Sequence, residues 1–134
     1  MPNRRDLFKL TALNALAAFA ADKLPNSTRG SAQANVTHET FGDVHVYFDG
    51  PTDQLSAMTA GSLLLKPGMS PHPPHQHPEE EIMLVTEGTG EISINGKITK
   101  VANGSMMFCE ANVSHGIVNT GGVPMMFYYY KWKR

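Results

Sequence analysis

The sequence is short of most groups that mark a function directly. It has one cysteine, Cys109, so an intrachain disulfide is impossible and thiolate-rich zinc or iron–sulfur sites are excluded. A lone thiol of this kind is expected as a small buried core residue. No apolar run reaches the roughly 20 residues that a bilayer-spanning helix needs. Neither sign of charge dominates, with 11 basic and 12 acidic residues and a formal net charge of -1. There is no basic patch, and the terminal Lys131-Trp132-Lys133-Arg134 is too short to indicate a nucleic-acid partner. Beyond residue 34 no long stretch has the 3.6-residue period of a helix, and no internal repeat is present. With 134 residues there is room for one domain.

The first 34 residues read as a targeting segment: a charged head, an apolar middle and a small-residue exit. The head, Asn3-Arg4-Arg5-Asp6-Leu7-Phe8-Lys9, resembles a twin-arginine translocation signal. Thr11 to Ala21 is alanine-rich and too short for a stable membrane anchor. Ala32-Gln33-Ala34 fits the A-x-A exit pattern, which predicts cleavage after Ala34 and a mature domain over 35–134. The expected location is the periplasm or the outside of a bacterial cell, with no membrane association once the segment is removed. The alternative is an amphipathic N-terminal helix packed on the domain. Cleavage removes five of the eleven basic and two of the twelve acidic residues, so the mature domain is mildly acidic and keeps all six histidines.

From Val36 onwards, short and often alternating apolar runs are punctuated by turn residues, which predicts an all-β domain. Strands are expected over 44–48, 56–65, 81–87, 91–94, 97–101, 105–109, 114–119 and 125–132. Asn95-Gly96 predicts a tight hairpin between the fourth and fifth of these. Period 2 puts Glu81, Met83, Val85 and Glu87 on one face of their strand, and His115, Ile117 and Asn119 on one face of theirs. The last strand is apolar or aromatic at nearly every position, which suits a strand covered on both sides by a second sheet or another subunit.

The chemistry is concentrated between Gly68 and Gly88. His75 and His77 stand two apart, and Glu81 follows four residues after His77. Two imidazoles and a carboxylate from one short span are most of a metal site. Pro71, Pro73, Pro74 and Pro78 stiffen the loop that carries the histidines, because each ring fixes its own φ. His115, on a strand able to return beside this loop, is the natural fourth group. Such a nitrogen and oxygen set suits one divalent transition metal and leaves positions open for water, substrate or dioxygen. Manganese, iron, zinc, nickel and copper all remain open.

These spacings are those of the cupin superfamily, which the sequence resembles over residues 36–134. Gly68, His75, His77, Glu81 and Gly88 fill the first cupin motif, with one more residue than usual between Gly68 and His75. Gly104, His115 and Asn119 match the second, while Glu110 and Asn112 replace its usual proline and glycine. Asn112 tolerates the positive φ that such a glycine provides. The resemblance implies a small antiparallel jelly-roll β-barrel, a metal held in one mouth by His75, His77, Glu81 and His115, and a homodimer.

The resulting expectation is an exported metal-dependent enzyme acting on a small organic molecule by direct coordination. Dioxygenase-like oxidoreductase chemistry stands first, then decarboxylase or isomerase. The alternative is a non-catalytic cupin that binds a sugar or organic acid. His72, Glu87 or a tyrosine among Tyr128, Tyr129 and Tyr130 is a candidate acid or base. Met83, Phe108 and Phe127 are expected as apolar walls, and Met106, Met125 and Met126 as barrel filling.

Overall fold

The structure, a computed structural model, describes residues 22–134. The twin-arginine head and the alanine-rich run lie outside the described residues. Residues 22–34 follow the outside of the domain. The Leu24 amide donates to the Pro51 carbonyl at 2.8 Å, Lys23 pairs with Asp53 at 2.9 Å, and the Arg29 guanidinium lies 5.1 Å from the Phe48 ring centre. A 3-10 turn, Ser31–Gln33, precedes the first strand, so the predicted cleavage point falls just ahead of the barrel.

Nine strands follow among the described residues: β1 (Asn35–Glu39), β2 (Gly42–Gly50), β3 (Ala57–Leu65), β4 (Glu80–Glu87), β5 (Gly90–Ile94), β6 (Lys97–Val101), β7 (Met106–Cys109), β8 (His115–Asn119) and β9 (Met125–Lys133). They build a six-stranded sheet in the order β1-β2-β3-β9-β4-β7 and a three-stranded sheet in the order β6-β5-β8. Every pairing is antiparallel, and the whole is the all-β jelly roll that the strand pattern and motifs predict.

Local chemistry explains the boundaries. Asn95 and Gly96 take φ of 52° and 84°, the two left-handed positions of a type I′ turn, and so join β5 to β6 without splaying them. Alternation then sorts the faces. Leu63 and Leu65 of β3, Met83 and Val85 of β4, Met107 and Cys109 of β7, and Met125 and Phe127 of β9 point inward. They meet Ile92, Val101 and Ile117 from the smaller sheet in one core. Burying side chains of this size contributes about 1.5–3 kcal/mol each, and here the core holds both sheets together.

The last strand, β9, is central, between β3 and β4; its inner face packs on the core, and its outer face is partly covered within the chain, with Tyr130 exposed. Three sequence-based expectations, for Met106, Phe108 and Glu87, are corrected here. Met106 and Phe108 face outward and are 64% and 52% exposed, because β7 sends Met107 and Cys109 inward. Phe108 is therefore no cavity wall. Glu87 leaves the inner face because a bulge between Val85 and Glu87, which pair with Phe127 and Met126, inserts Thr86 and breaks the alternation.

Candidate metal centre

The proline-rich loop reaches the far motif through the backbone. His75 and His115 form an isolated antiparallel bridge, each amide donating to the other's carbonyl at 3.0 and 2.9 Å. The Asn112 amide donates to the His77 carbonyl at 2.8 Å, from a corner where Asn112 adopts φ of 62°. Three backbone links of this kind need no side chain, so the histidines are positioned by the main chain rather than by contacts between their rings.

The result is a cluster. One ligating atom from each of His75, His77 and His115 lies within 4.8 Å of the others, and these three histidines are placed to bind a metal ion. Their rings meet edge to face with centres 4.8 to 5.2 Å apart. The second nitrogens are committed elsewhere: His115 Nδ1–H donates to the Val113 carbonyl at 3.0 Å, and His77 Nδ1–H to the Glu79 carbonyl at 3.1 Å. In the neutral rings this leaves Nε2 as the ligating atom, the tautomer control usual for metal-binding histidines.

Both Nε2 atoms lie 3.0 Å from the same Oε1 of Glu81. A lone pair facing a carboxylate oxygen is repulsive, so this contact calls for a proton on a ring or a cation among the three atoms. Two atoms bound at right angles to one ion at about 2.1 Å lie about 3.0 Å apart, so the donor set fits a first-row divalent metal. The charges are balanced accordingly. The hydrogen bond to Glu81 raises the His115 pKa against the effect of burial. Burial would raise Glu81, but hydrogen bonds from and the charges of His115 and His77 outweigh it and hold the carboxyl below its ordinary range. Burial, then the neighbouring His72, His115 and His77, push His75 down to about 4, which leaves it neutral and able to ligate.

Neighbouring carboxylates separate by parity. Glu81 is 5% exposed and faces inward, whereas Glu80 faces outward and accepts from Trp132 Nε1 at 3.0 Å. Glu79 does more than meet solvent, since its carbonyl orients His77 and its Oε1 lies 3.3 Å from the same Nδ1. Cys109 is buried behind His115, and burial, then Glu81 and Glu110, raise its pKa, so it is a retained thiol rather than a nucleophile.

The cluster opens into a cavity of about 210 Å³. Phe41, Val44, Leu63, Met83 and Phe127 form its apolar wall, and Pro71 and His72 its rim. Tyr129 and Lys131 complete the polar end. His72 stacks on His75 with ring centres 3.7 Å apart, while its Nδ1–H donates to the Pro73 carbonyl at 2.9 Å. Of the candidate acids and bases, His72 and Tyr129 reach the cavity, and Glu87 does not. Lys131 is the site residue that sequence reasoning passed over. Its signal was available in the alternation Met125, Phe127, Tyr129, Lys131, but an inward lysine at the end of an apolar strand looks like part of a basic tail until the sheet is assembled.

A curled antiparallel jelly roll with a histidine cluster in one mouth defines a class of metal-binding barrel. Residues 61–130 match the cupin domain family (Cupin_2), to which the chain belongs. Solved structures agree on the fold. An RmlC-like cupin from Shewanella frigidimarina superposes with a TM-score of 0.68 at 16% identity, covering 82% of this chain and 93% of that one. KdgF from a Halomonas species gives 0.67 at 17% identity, over 82% and 96% of the two chains. The polyketide cyclase RemF from Streptomyces resistomycificus gives 0.65 at 19%, over 82% and 81%. At such identities the likeness is one of fold alone. No curated protein matches the sequence.

Proposed function

We propose that the protein is an exported metal-dependent enzyme, dioxygenase-like before decarboxylase or isomerase, in which His75, His77, Glu81 and His115 hold one divalent transition ion. The observation that supports this most is the shared contact of His77 and His115 with Glu81 Oε1, at the floor of a cavity with an apolar wall. When bound, such an ion would supply a Lewis acid and, if iron, manganese or copper, a redox centre. The chain supplies the rest. Phe41, Leu63 and Phe127 exclude water and take the apolar part of a small organic substrate. His72, whose Nδ1 is engaged by Pro73, keeps Nε2 for proton exchange at the rim.

A folded barrel that crosses the membrane through the twin-arginine route would acquire manganese or iron in the cytoplasm, before meeting copper and zinc outside. Protein purified anaerobically from the exported fraction of its own host is expected to begin at Asn35 and to carry about one manganese or iron per chain. It should consume dioxygen with at least one of a panel of catechols, flavonoids, diketones and small carboxylates. An intact N-terminus overturns export. Zinc alone overturns the metal assignment, and tight binding across the panel without turnover replaces the enzyme by a binding module.

The reading includes a homodimer. Phe108 and Met106 of β7 lie beside Ile82 and Leu84 of β4 in register, forming an apolar outer strip at the sheet edge that a second copy would cover. Sedimentation should give twice the chain mass, and Phe108→Glu should give the single chain. A wild-type monomer at micromolar concentration would rule the dimer out.

A further inference from the structure

Two groups at the polar end of the cavity have no assigned partner. Lys131 is half-buried, lines the cavity and makes no ion pair with any described residue, although Glu81 is its partner across the β4–β9 ladder. The reason is local: Oε1 of Glu81 is already engaged by His77 and His115. Tyr129 stands two residues before Lys131 on the same face of β9, about 7 Å away along the strand. Its hydroxyl has no hydrogen-bond partner among the described residues. The phenol is packed against Gly61, where an added Cβ would stand 2.6 Å from the hydroxyl oxygen. Glycine at 61 thus makes the room that Tyr129 occupies.

We propose that Lys131 and Tyr129 form the anion-recognition end of the cavity, which selects a small organic acid carrying one carboxylate or enolate oxyanion and an apolar body. The charge count favours it. Among the charged side chains lining the cavity Lys131 and Glu81 cancel, so a divalent ion leaves an excess of about two positive charges there, offset in part by Glu79 behind His77, and an anion is drawn in between low-dielectric walls. Lys131 supplies the charge and the Tyr129 hydroxyl, its pKa raised by burial and then by the Glu81 and Asp49 charges, supplies a retained proton as a hydrogen-bond donor. Phe127, Leu63 and Phe41 receive the apolar body. Lys131 is a specificity-determining residue in this scheme, and it deepens the metal-enzyme reading on which it rests.

The test uses benzoate as probe and benzamide as its neutral counterpart, titrated calorimetrically into full-length protein with and without zinc. Wild type should bind benzoate at least about tenfold more tightly than benzamide, since a hydrogen bond to a charged group contributes about 1.5–3 kcal/mol. Lys131→Met should weaken benzoate about 10- to 100-fold, leave benzamide unchanged and keep its zinc content; Lys131→Arg should restore the preference, and Tyr129→Phe should cost about three- to tenfold. Equal affinity for the two probes in wild type, or unchanged benzoate affinity in Lys131→Met, overturns the proposal. Wild type that takes no zinc fails the metal reading instead. In that case a Lys131-dependent benzoate preference in the zinc-free protein still upholds the anion site, and its absence overturns it.

Discussion

Replacing His115 by alanine is expected to lower zinc affinity by about a hundred- to a thousandfold while leaving the barrel folded. Structural zinc sites bind with roughly 10–16 kcal/mol shared over four ligands, so one ligand corresponds to about 2.5–4 kcal/mol. The fold should survive because the His75–His115 bridge is made by backbone amides and carbonyls, which alanine retains. Glu81→Ala should behave similarly, since it removes the oxygen that both Nε2 atoms contact. His72→Ala should stay within about threefold of wild type, because His72 stacks on the cluster without joining it. Competition with a chromophoric chelator measures all three. Full zinc occupancy at unchanged affinity in His115→Ala and Glu81→Ala would refute the centre.

The same titration has a predictable pH dependence. His115 must be neutral to ligate, and its pKa is raised, so protons compete for it already near neutrality and zinc affinity should climb as the pH rises through that region. His75, held at about 4, competes only in acid. Affinity that is flat from pH about 6 to 8 would contradict the role given to His115.

Asn119→Ala is expected to destabilise the fold by about 3 kcal/mol. Asn119 is fully buried, and both amide protons and its oxygen are engaged. Nδ2 donates to the Leu65 and Val123 carbonyls at 2.9 Å each, and Oδ1 accepts from the Gly121 amide at 2.9 Å. It therefore ties β8 to the end of β3 and to the turn before β9. Alanine leaves three backbone groups without partners, each costing about 1–3 kcal/mol where water cannot reach, and the partial access of the Val123 turn sets the lower total. Asn119→Asp distinguishes the donor role from size: a carboxylate facing two carbonyls should be at least as damaging at neutral pH, with part of the loss recovered in acid when the carboxyl can donate. Urea unfolding checks both. A loss below about 1 kcal/mol in Asn119→Ala would mean that water replaces the amide.

Much of this was legible in advance. The ends of β5 and β8 followed from Asn95-Gly96 and Thr120-Gly121-Gly122, because turns and alternation are properties of a few adjacent residues. β2, by contrast, runs past its expected end at Phe48 through Asp49 and Gly50, which pair with β3. Parity within one strand put Glu81 on the inner face with Met83 and Val85, where the structure has it. The same rule misplaced Glu87, because a bulge depends on the partner strand and β9 offers one residue where β4 has two. Phe108 was misread for a related reason: a short strand with apolar residues on both faces carries no signal of which face the core takes.

By itself, then, the sequence determined the all-β class, eight of the nine described strands (all but β1), the His-x-His pair with its glutamate, and the glycine and asparagine corners, all of them consequences of local sterics and spacing. Only the tertiary structure decided that His115 reaches His75 through paired backbone bonds, that β9 sits at the centre of the larger sheet, and that Tyr129 and Lys131 consequently look into the same cavity as the histidines. The physical reason is that each of these depends on register between segments far apart in the chain. A shift of one residue in that register would turn Lys131 out to solvent and leave the local pattern unchanged.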